Sequence, residues 1–246
     1  MKVLFSPSED KSELDAHEGV LENSICFSPK FQIRKRCIDI YNQILSDKDE
    51  KELSKLFGFK NKKDIDKFAP IKFDACKMQK AVLRYTGTAY ANLKYETLDK
   101  PSQDFIDENV MIFSNLFGPV LAGNFLPYYK IKQGESLRGF DMGSYYKENF
   151  ESDIDKWLDG ELVVDLRAGF YEKFYQPKTP HITMKFYKNG KILSHFAKVY
   201  RGLILRELSI YRPRNIEELQ EINFQNLTIN DIKKSGLTTE YSYSIK

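Results

Sequence analysis

The stretch HITMKFYKNGKILSHFA, residues 181–197, sets two runs of alternating apolar and polar residues on either side of Asn189-Gly190. Asn-Gly readily places both central residues of a tight turn at positive φ, so the spacing predicts a two-residue β-hairpin. Period-two alternation then puts Ile182, Met184 and Phe186 on one face with Leu193, His195 and Ala197, and that face is read as core. His195 is thereby a core histidine, and His181 falls on the opposite face. Beyond the hairpin, Ile204, Leu208 and Tyr211 keep helical spacing.

Working outward, Val3-Leu4-Phe5 reads as a short buried strand stopped by Ser6-Pro7, and Leu162–Leu166 as another. Helices are predicted over Phe31–Leu45, with Arg34, Lys35 and Arg36 mostly off the apolar face. Others follow Asp47 and Glu50 up to Gly58, run from Ser102 through Leu116 to Gly118, and span Ser144–Leu158. Tyr128–Gln133 looks like a strand. Hairpins mixed with helices that do not alternate regularly with strands argue against a doubly wound sheet. The expectation is a mixed α/β, α+β-like fold in which a partly antiparallel sheet is surrounded by helices.

The chain has 246 residues, 41% of them hydrophobic and 14% aromatic, enough for one packed core, and no Pro/Gly/Ser-rich linker divides it. Residues 1–246 are therefore read as a single compact domain. Lys+Arg 38 against Asp+Glu 35 leaves +3, which argues against a histone-like binder; affinity for a polyanion has to come from an uneven distribution of charge. Cys26, Cys37 and Cys76 form no CxxC clip and are read as free thiols of a reducing compartment. The opening MKVLFSPSED has no signal-peptide character and no stretch has the apolar length to cross a bilayer, so a cytoplasmic protein without a membrane partner is expected. No P-loop, G-x-G-x-x-G, H-E-x-x-H or nucleophile-elbow motif occurs, and neither metal nor cofactor is expected.

Two segments point to an anion. In ACKMQKAVLRYTGTAYANL, residues 75–93, Lys77, Lys80 and Arg84 recur at i, i+3 and i+7, which on a helix makes a cationic rail. Thr86-Gly87-Thr88 would then reverse the chain and Thr88 would cap a second helix, a helix-hairpin-helix-like element able to hold nucleic-acid phosphates without reading sequence. An amphipathic helix with a solvated basic face fits the same spacing. Tyr85 and Tyr90 are read as base-stacking or packing groups. In the second segment Lys198, Arg201, Gly202 and Arg206 stand where the hairpin gives way to a helix. Arg201 lies on the apolar stripe and needs an anion, either Asp165 from within or a phosphate or carboxylate from outside, while Gly202 allows close backbone approach.

With these segments in hand, the chain resembles the peroxide stress protein YaaA family through VLFSPS, YTGTAYANL, FSNLFGPV, YYKIKQG, VVDLRAGFYEKF and HFAKVYRGLILR, in that order. The resemblance implies a mixed α/β protein whose cationic cleft and helix-hairpin-helix element bind DNA, duplex or distorted, in a cytoplasmic peroxide-stress response linked to iron homeostasis. It puts the family's hairpin glycine on Gly87 and its Lys-x-x-Arg-Gly pattern on Lys198, Arg201 and Gly202; with the spacing of Lys77, Lys80 and Arg84 and the turn Thr86-Gly87-Thr88, DNA contact is expected at Lys77, Lys80, Arg84, Thr86, Gly87, Thr88, Lys198 and Arg201. Ser6, Tyr90, Tyr129 and Lys130 become cleft candidates, and the number of subunits stays open. The alternative is an enzyme acting on a small anionic metabolite, in which Ser6, Tyr90, Asp165, Arg167, Lys198 and Arg201 converge and Asp165 serves as base. Where the family usually reads Ser-Pro-Ala-Lys this chain has Ser6-Pro7-Ser8-Glu9, an acid in place of a cation. A family Asn becomes Asp165, followed closely by Arg167.

Overall fold

Val3, Leu4 and Phe5 form an unbroken apolar run, as a strand covered on both faces requires. In the computed structural model, which describes residues 1–59, 61–193 and 196–245, they belong to β1 (Lys2–Phe5) in the interior of the main sheet. The chain continues through β2 (His17–Gly19), α1 (Phe31–Asp47), α2 (Glu50–Phe57), α3 (Lys62–Ile65), β3 (Cys76–Lys80), α4 (Ala81–Arg84), α5 (Thr88–Leu93), α6 (Lys100–Asn109) and β4 (Val110–Ser114). It then forms β5 (Gly118–Leu121), β6 (Phe125–Pro127), α7 (Met142–Leu158), β7 (Val163–Asp165), β8 (His181–Lys188), β9 (Lys191–Ile192), α8 (Ala197–Tyr211), α9 (Ile216–Glu221), β10 (Leu227–Ser235) and β11 (Thr238–Ile245).

Among the described residues one sheet runs β10-β11-β8-β7-β1-β4-β5, with β9 folded back on β8. β11, β8, β7, β1 and β4 are parallel, whereas β10 and β5 close the two edges antiparallel. A second, antiparallel sheet runs β2-β3-β6. The result is one compact α/β domain with a mixed sheet flanked by helices. From β1 the chain reaches β4 on one side, and only after α7 does it return to β7 on the other. The carboxyl ends of β1 and β7 therefore flank the point where connections diverge, where parallel sheets open a crevice for ligands.

The hairpin forms as its turn chemistry dictates: Asn189 and Gly190 have φ of 51° and 74°, and Ile182, Met184 and Phe186 are buried. Its second strand is shorter than expected. β9 has two exposed residues, Leu193 still donates to the Phe186 carbonyl, and Ala197 already starts α8. The His195 reading lies outside the described residues.

Four other expectations are corrected. The helix expected from Ser102 to Leu116 stops at Asn109, because VMIFS, carrying β-branched Val110 and Ile112, pairs with β1 as a strand buried on both faces. Tyr128–Gln133 is no strand; its backbone is anchored elsewhere, Lys132 N–H donating to the Leu56 carbonyl. Arg34 does not face away from the core. It is fully buried and donates to the Phe117 and Pro119 carbonyls at 2.9 and 2.6 Å. The cap of α2 is Asp49 rather than Asp47, accepting from Lys51 and Glu52 N–H, and Gly58 ends that helix at φ 72°. The three cysteines are separate free thiols, and among the described residues no helix is long and apolar enough to cross a membrane.

Candidate functional site

Residues 76–80 are a strand, not a helix. Cys76 and Met78 are buried while Lys77 is exposed, the period-two alternation of β3 between β2 and β6. The rail therefore does not exist as a row. Lys80 is drawn to Asp107 at 2.6 Å and to the Tyr95 hydroxyl at 3.2 Å. Arg84 is fully buried, donating to the Ser12, Leu14 and Leu126 carbonyls and to the Asp15 carboxylate. With α4 a single turn, no helix-hairpin-helix forms, and Gly87 at φ 96°, not Thr88, precedes α5. Arg84→Met should lower unfolding free energy by roughly 3 kcal/mol, since it strands three carbonyls and Asp15. A urea titration with an unchanged midpoint would contradict this role.

What the fold does gather lies at the carboxyl ends of β1 and β7. A cavity of about 370 Å³ is lined by Ser6, Ser8, Glu9 and Asp10 after β1 and by Leu166 and Ala168 after β7. Thr86, Gly87, Thr88 and Tyr90 form a second wall, Lys198 and Arg201 of α8 a third, and Gln133 and Tyr171 complete it. Its frame is tied by named bonds. Ser6 Oγ accepts from Ala168 N–H at 2.8 Å, joining the ends of the two strands, and the Ser6 carbonyl accepts from the Tyr90 hydroxyl at 2.8 Å. Thr86 N–H donates to the Asp10 carbonyl. Gly202 lets α8 close on α5, for a Cβ there would sit 2.0 Å from the Ala89 carbonyl oxygen.

Thus Ser6, Thr86, Gly87, Thr88, Tyr90, Lys198 and Arg201 meet in one place. Asp165 and Arg167 do not line it; they hold each other, Arg167 Nη2 and Nε reaching Asp165 at 2.7 and 2.9 Å, and Arg167 also serves the Tyr171 and Tyr175 carbonyls. A carboxylate so occupied is a poor general base, and it leaves Arg201 without that partner. Arg201 has no hydrogen bond or ion pair among the described residues. Burial lowers its pKa, which Asp165 only partly offsets from a distance, yet a guanidinium stays charged at neutral pH. Tyr90 is held well above its ordinary pKa by burial and acts as a neutral donor.

Tyr129 and Lys130 are buried and do not line the cavity. The Tyr129 hydroxyl links those of Tyr85 and Ser114 at 2.8 Å each, and Lys130 Nζ donates to the Glu9 carbonyl at 3.2 Å. Beside them, Lys11 Nζ sits 4.2 Å from the Tyr129 ring centroid and donates to the Ser8 and Glu9 carbonyls. Burial, with Lys130 adding to it and Glu9 and Asp10 opposing, pushes its pKa from 10.5 down to about 7. The folded state thus binds this proton less tightly than the unfolded chain. The cost is full below about pH 7 and is relieved toward about pH 10. Accordingly the urea midpoint of Lys11→Met relative to the parent should fall as pH rises through that window; a constant difference would contradict it.

Asp10, Gln133 and Tyr171 were not named as candidates, although Gln133 and Tyr171 lie within the motifs YYKIKQG and VVDLRAGFYEKF; what brings them to the cavity is strand order, which their spacing does not encode. Among the described residues no group of His, Cys, Asp and Glu is placed to hold a metal ion.

Comparison with known proteins adds the lineage of this arrangement. The family model described as "Peroxide stress protein YaaA" matches residues 1–233. An uncharacterized protein of Campylobacter jejuni is 44% identical over 242 residues, covering 98% of this chain and 97% of its own. UPF0246 proteins of Corynebacterium efficiens and Fusobacterium nucleatum are 28% and 25% identical over 253 and 237 residues, covering 97% and 94% of this chain and 99% and 94% of their own.

Proposed function

The chain belongs to the peroxide stress protein YaaA family, and from that premise we propose that its cleft at the ends of β1 and β7 binds a small molecule carrying a phosphate or carboxylate. The observation behind this reading is Arg201, turned inward on α8 with no hydrogen bond or ion pair among the described residues. A half-buried guanidinium without an anion is costly, so its persistence here fits a partner supplied from outside. Arg201 offers a bidentate fork, exposed Lys198 a second charge at the mouth, and the Thr86 and Thr88 hydroxyls further donors.

Contact with the phosphates of DNA is the competing reading for the same peroxide-stress setting. It retains Lys198, Arg201, Thr86, Gly87 and Thr88 but loses Lys80 and Arg84, which are bound internally. Two titrations separate the readings: calorimetry with ethyl phosphate, and fluorescence anisotropy of a short duplex across a salt series. The small-anion reading expects saturable ethyl phosphate binding and at most weak duplex binding. Steeply salt-dependent duplex binding, weakened by Lys198→Ala and Arg201→Met, with no ethyl phosphate binding, would establish the DNA reading instead.

A further inference from the structure

The cleft is not uniformly cationic. Lys198 and Arg201 stand on α8, while Glu9 and Asp10 line the same cavity from the loop after β1. These opposite charges do not neutralise each other: among the described residues neither Lys198 nor Arg201 forms an ion pair with Glu9 or Asp10. The acids keep other company. Glu9 Oε1 accepts from Gln133 N–H at 2.9 Å, and Lys130 Nζ lies 3.9 Å from Glu9 Oε2 and 4.0 Å from Asp10 Oδ1. Lys130 and Lys11 approach these two carboxylates from the protein side, while Asp10 stays largely open to solvent. A cavity that holds unlike charges apart is matched by a molecule carrying both.

Resting on the small-anion reading above, we infer that the ligand is a zwitterion, whose phosphate or carboxylate meets Arg201 and Lys198 and whose ammonium or amidine-like donor meets Glu9 and Asp10. The dimensions suit it: about 370 Å³ is room for a metabolite and not for a macromolecule within the cavity. The Ser8 hydroxyl and the Ser6-Pro7 backbone lie on the loop that carries the acids, so the amine end rests against a wall tied to β7 by the bond from Ala168 N–H to Ser6 Oγ. Glu9 and Asp10 act here as specificity determinants.

The test compares O-phosphoethanolamine with ethyl phosphate, which carries the phosphate without the amine, by calorimetry on the full chain. O-phosphoethanolamine is expected to bind roughly fivefold more tightly to the parent, the upper end of what one partly screened ion pair supplies. In Glu9→Gln/Asp10→Asn that ratio should fall to within about twofold. The glutamine keeps an acceptor for Gln133 N–H, and Asp10→Asn alone, at an exposed position, provides a check that cannot be blamed on folding. Equal binding of the two probes by the parent, or an undiminished ratio in both variants, would overturn the inference while leaving anion binding intact. If neither probe binds, the small-anion reading falls and the zwitterion with it.

Discussion

Arg201→Met is expected to weaken ethyl phosphate binding roughly a hundredfold or more, the loss typical of removing one partner of a desolvated, charge-assisted pair. The same change should leave thermal stability equal or slightly higher. Among the described residues Arg201 pairs with no carboxylate, since Asp165 is already engaged by Arg167, and methionine keeps much of the aliphatic stem. This combination is diagnostic. Were Arg201 a structural ion-pair partner, its removal would strand a buried anion and lower stability. Arg201→Lys should recover part of the loss, ending roughly tenfold below the parent, because an ammonium keeps the charge but not the planar fork. Calorimetry and a melting curve on the three proteins decide the matter; a destabilised Arg201→Met variant with unchanged affinity would contradict it.

The second large effect is expected at Gly202. Its Cβ position lies 2.0 Å from the Ala89 carbonyl oxygen, with the carbonyl carbon at 2.9 Å, so the obstacle is backbone of α5 and cannot swing aside. Gly202→Ala should cost roughly 3 kcal/mol, at the upper end of what overpacking a close contact costs. Prying α8 from α5 also separates Arg201 and Lys198 from Thr88 and Tyr90, so ligand affinity should fall with stability. Gly190→Ala is the matched control: at φ 74° it carries backbone strain, but nothing lies within 4 Å of its Cβ, and the expected loss is about 1 kcal/mol with affinity unchanged. Urea unfolding of both variants measures the contrast, and similar small losses in the two would remove the close approach of α8 and α5 from the explanation of the cleft.

Features written in local chemistry were legible from sequence. Asn189-Gly190 specifies its turn, Val3–Phe5 its buried strand, and the stripe Cys37, Tyr41 and Ile44 its helix. The cleft was partly legible, since Ser6, Tyr90, Lys198 and Arg201 came together as the order of family motifs implied, and Gly202 makes the close approach its residue type allows. What failed depends on partners distant in the chain. CKMQK fits both a helical and a strand period, and only pairing with β2 and β6 selects the strand. VMIF, residues 110–113, is apolar on every side, which a helix tail and a doubly covered strand share until β1 takes it as a neighbour. Arg34 and Arg84 read as surface cations because the carbonyls that receive them lie far away in sequence, from Phe117 and Pro119 for the one and from Ser12, Leu14 and Leu126 for the other. Lys80 and Arg84, aligned in sequence, are thus held by internal bonds, while Arg201 and Lys198 face the cavity.

The most direct measurement is a crystal structure of the protein soaked in O-phosphoethanolamine. Density for the phosphate within about 3 Å of the Arg201 guanidinium, at the carboxyl ends of β1 and β7, is the expected result. A cleft that stays empty of the molecule at saturating concentration, or phosphate bound along exposed Lys77 instead, would contradict the assignment of this cavity as the site where the protein receives its ligand.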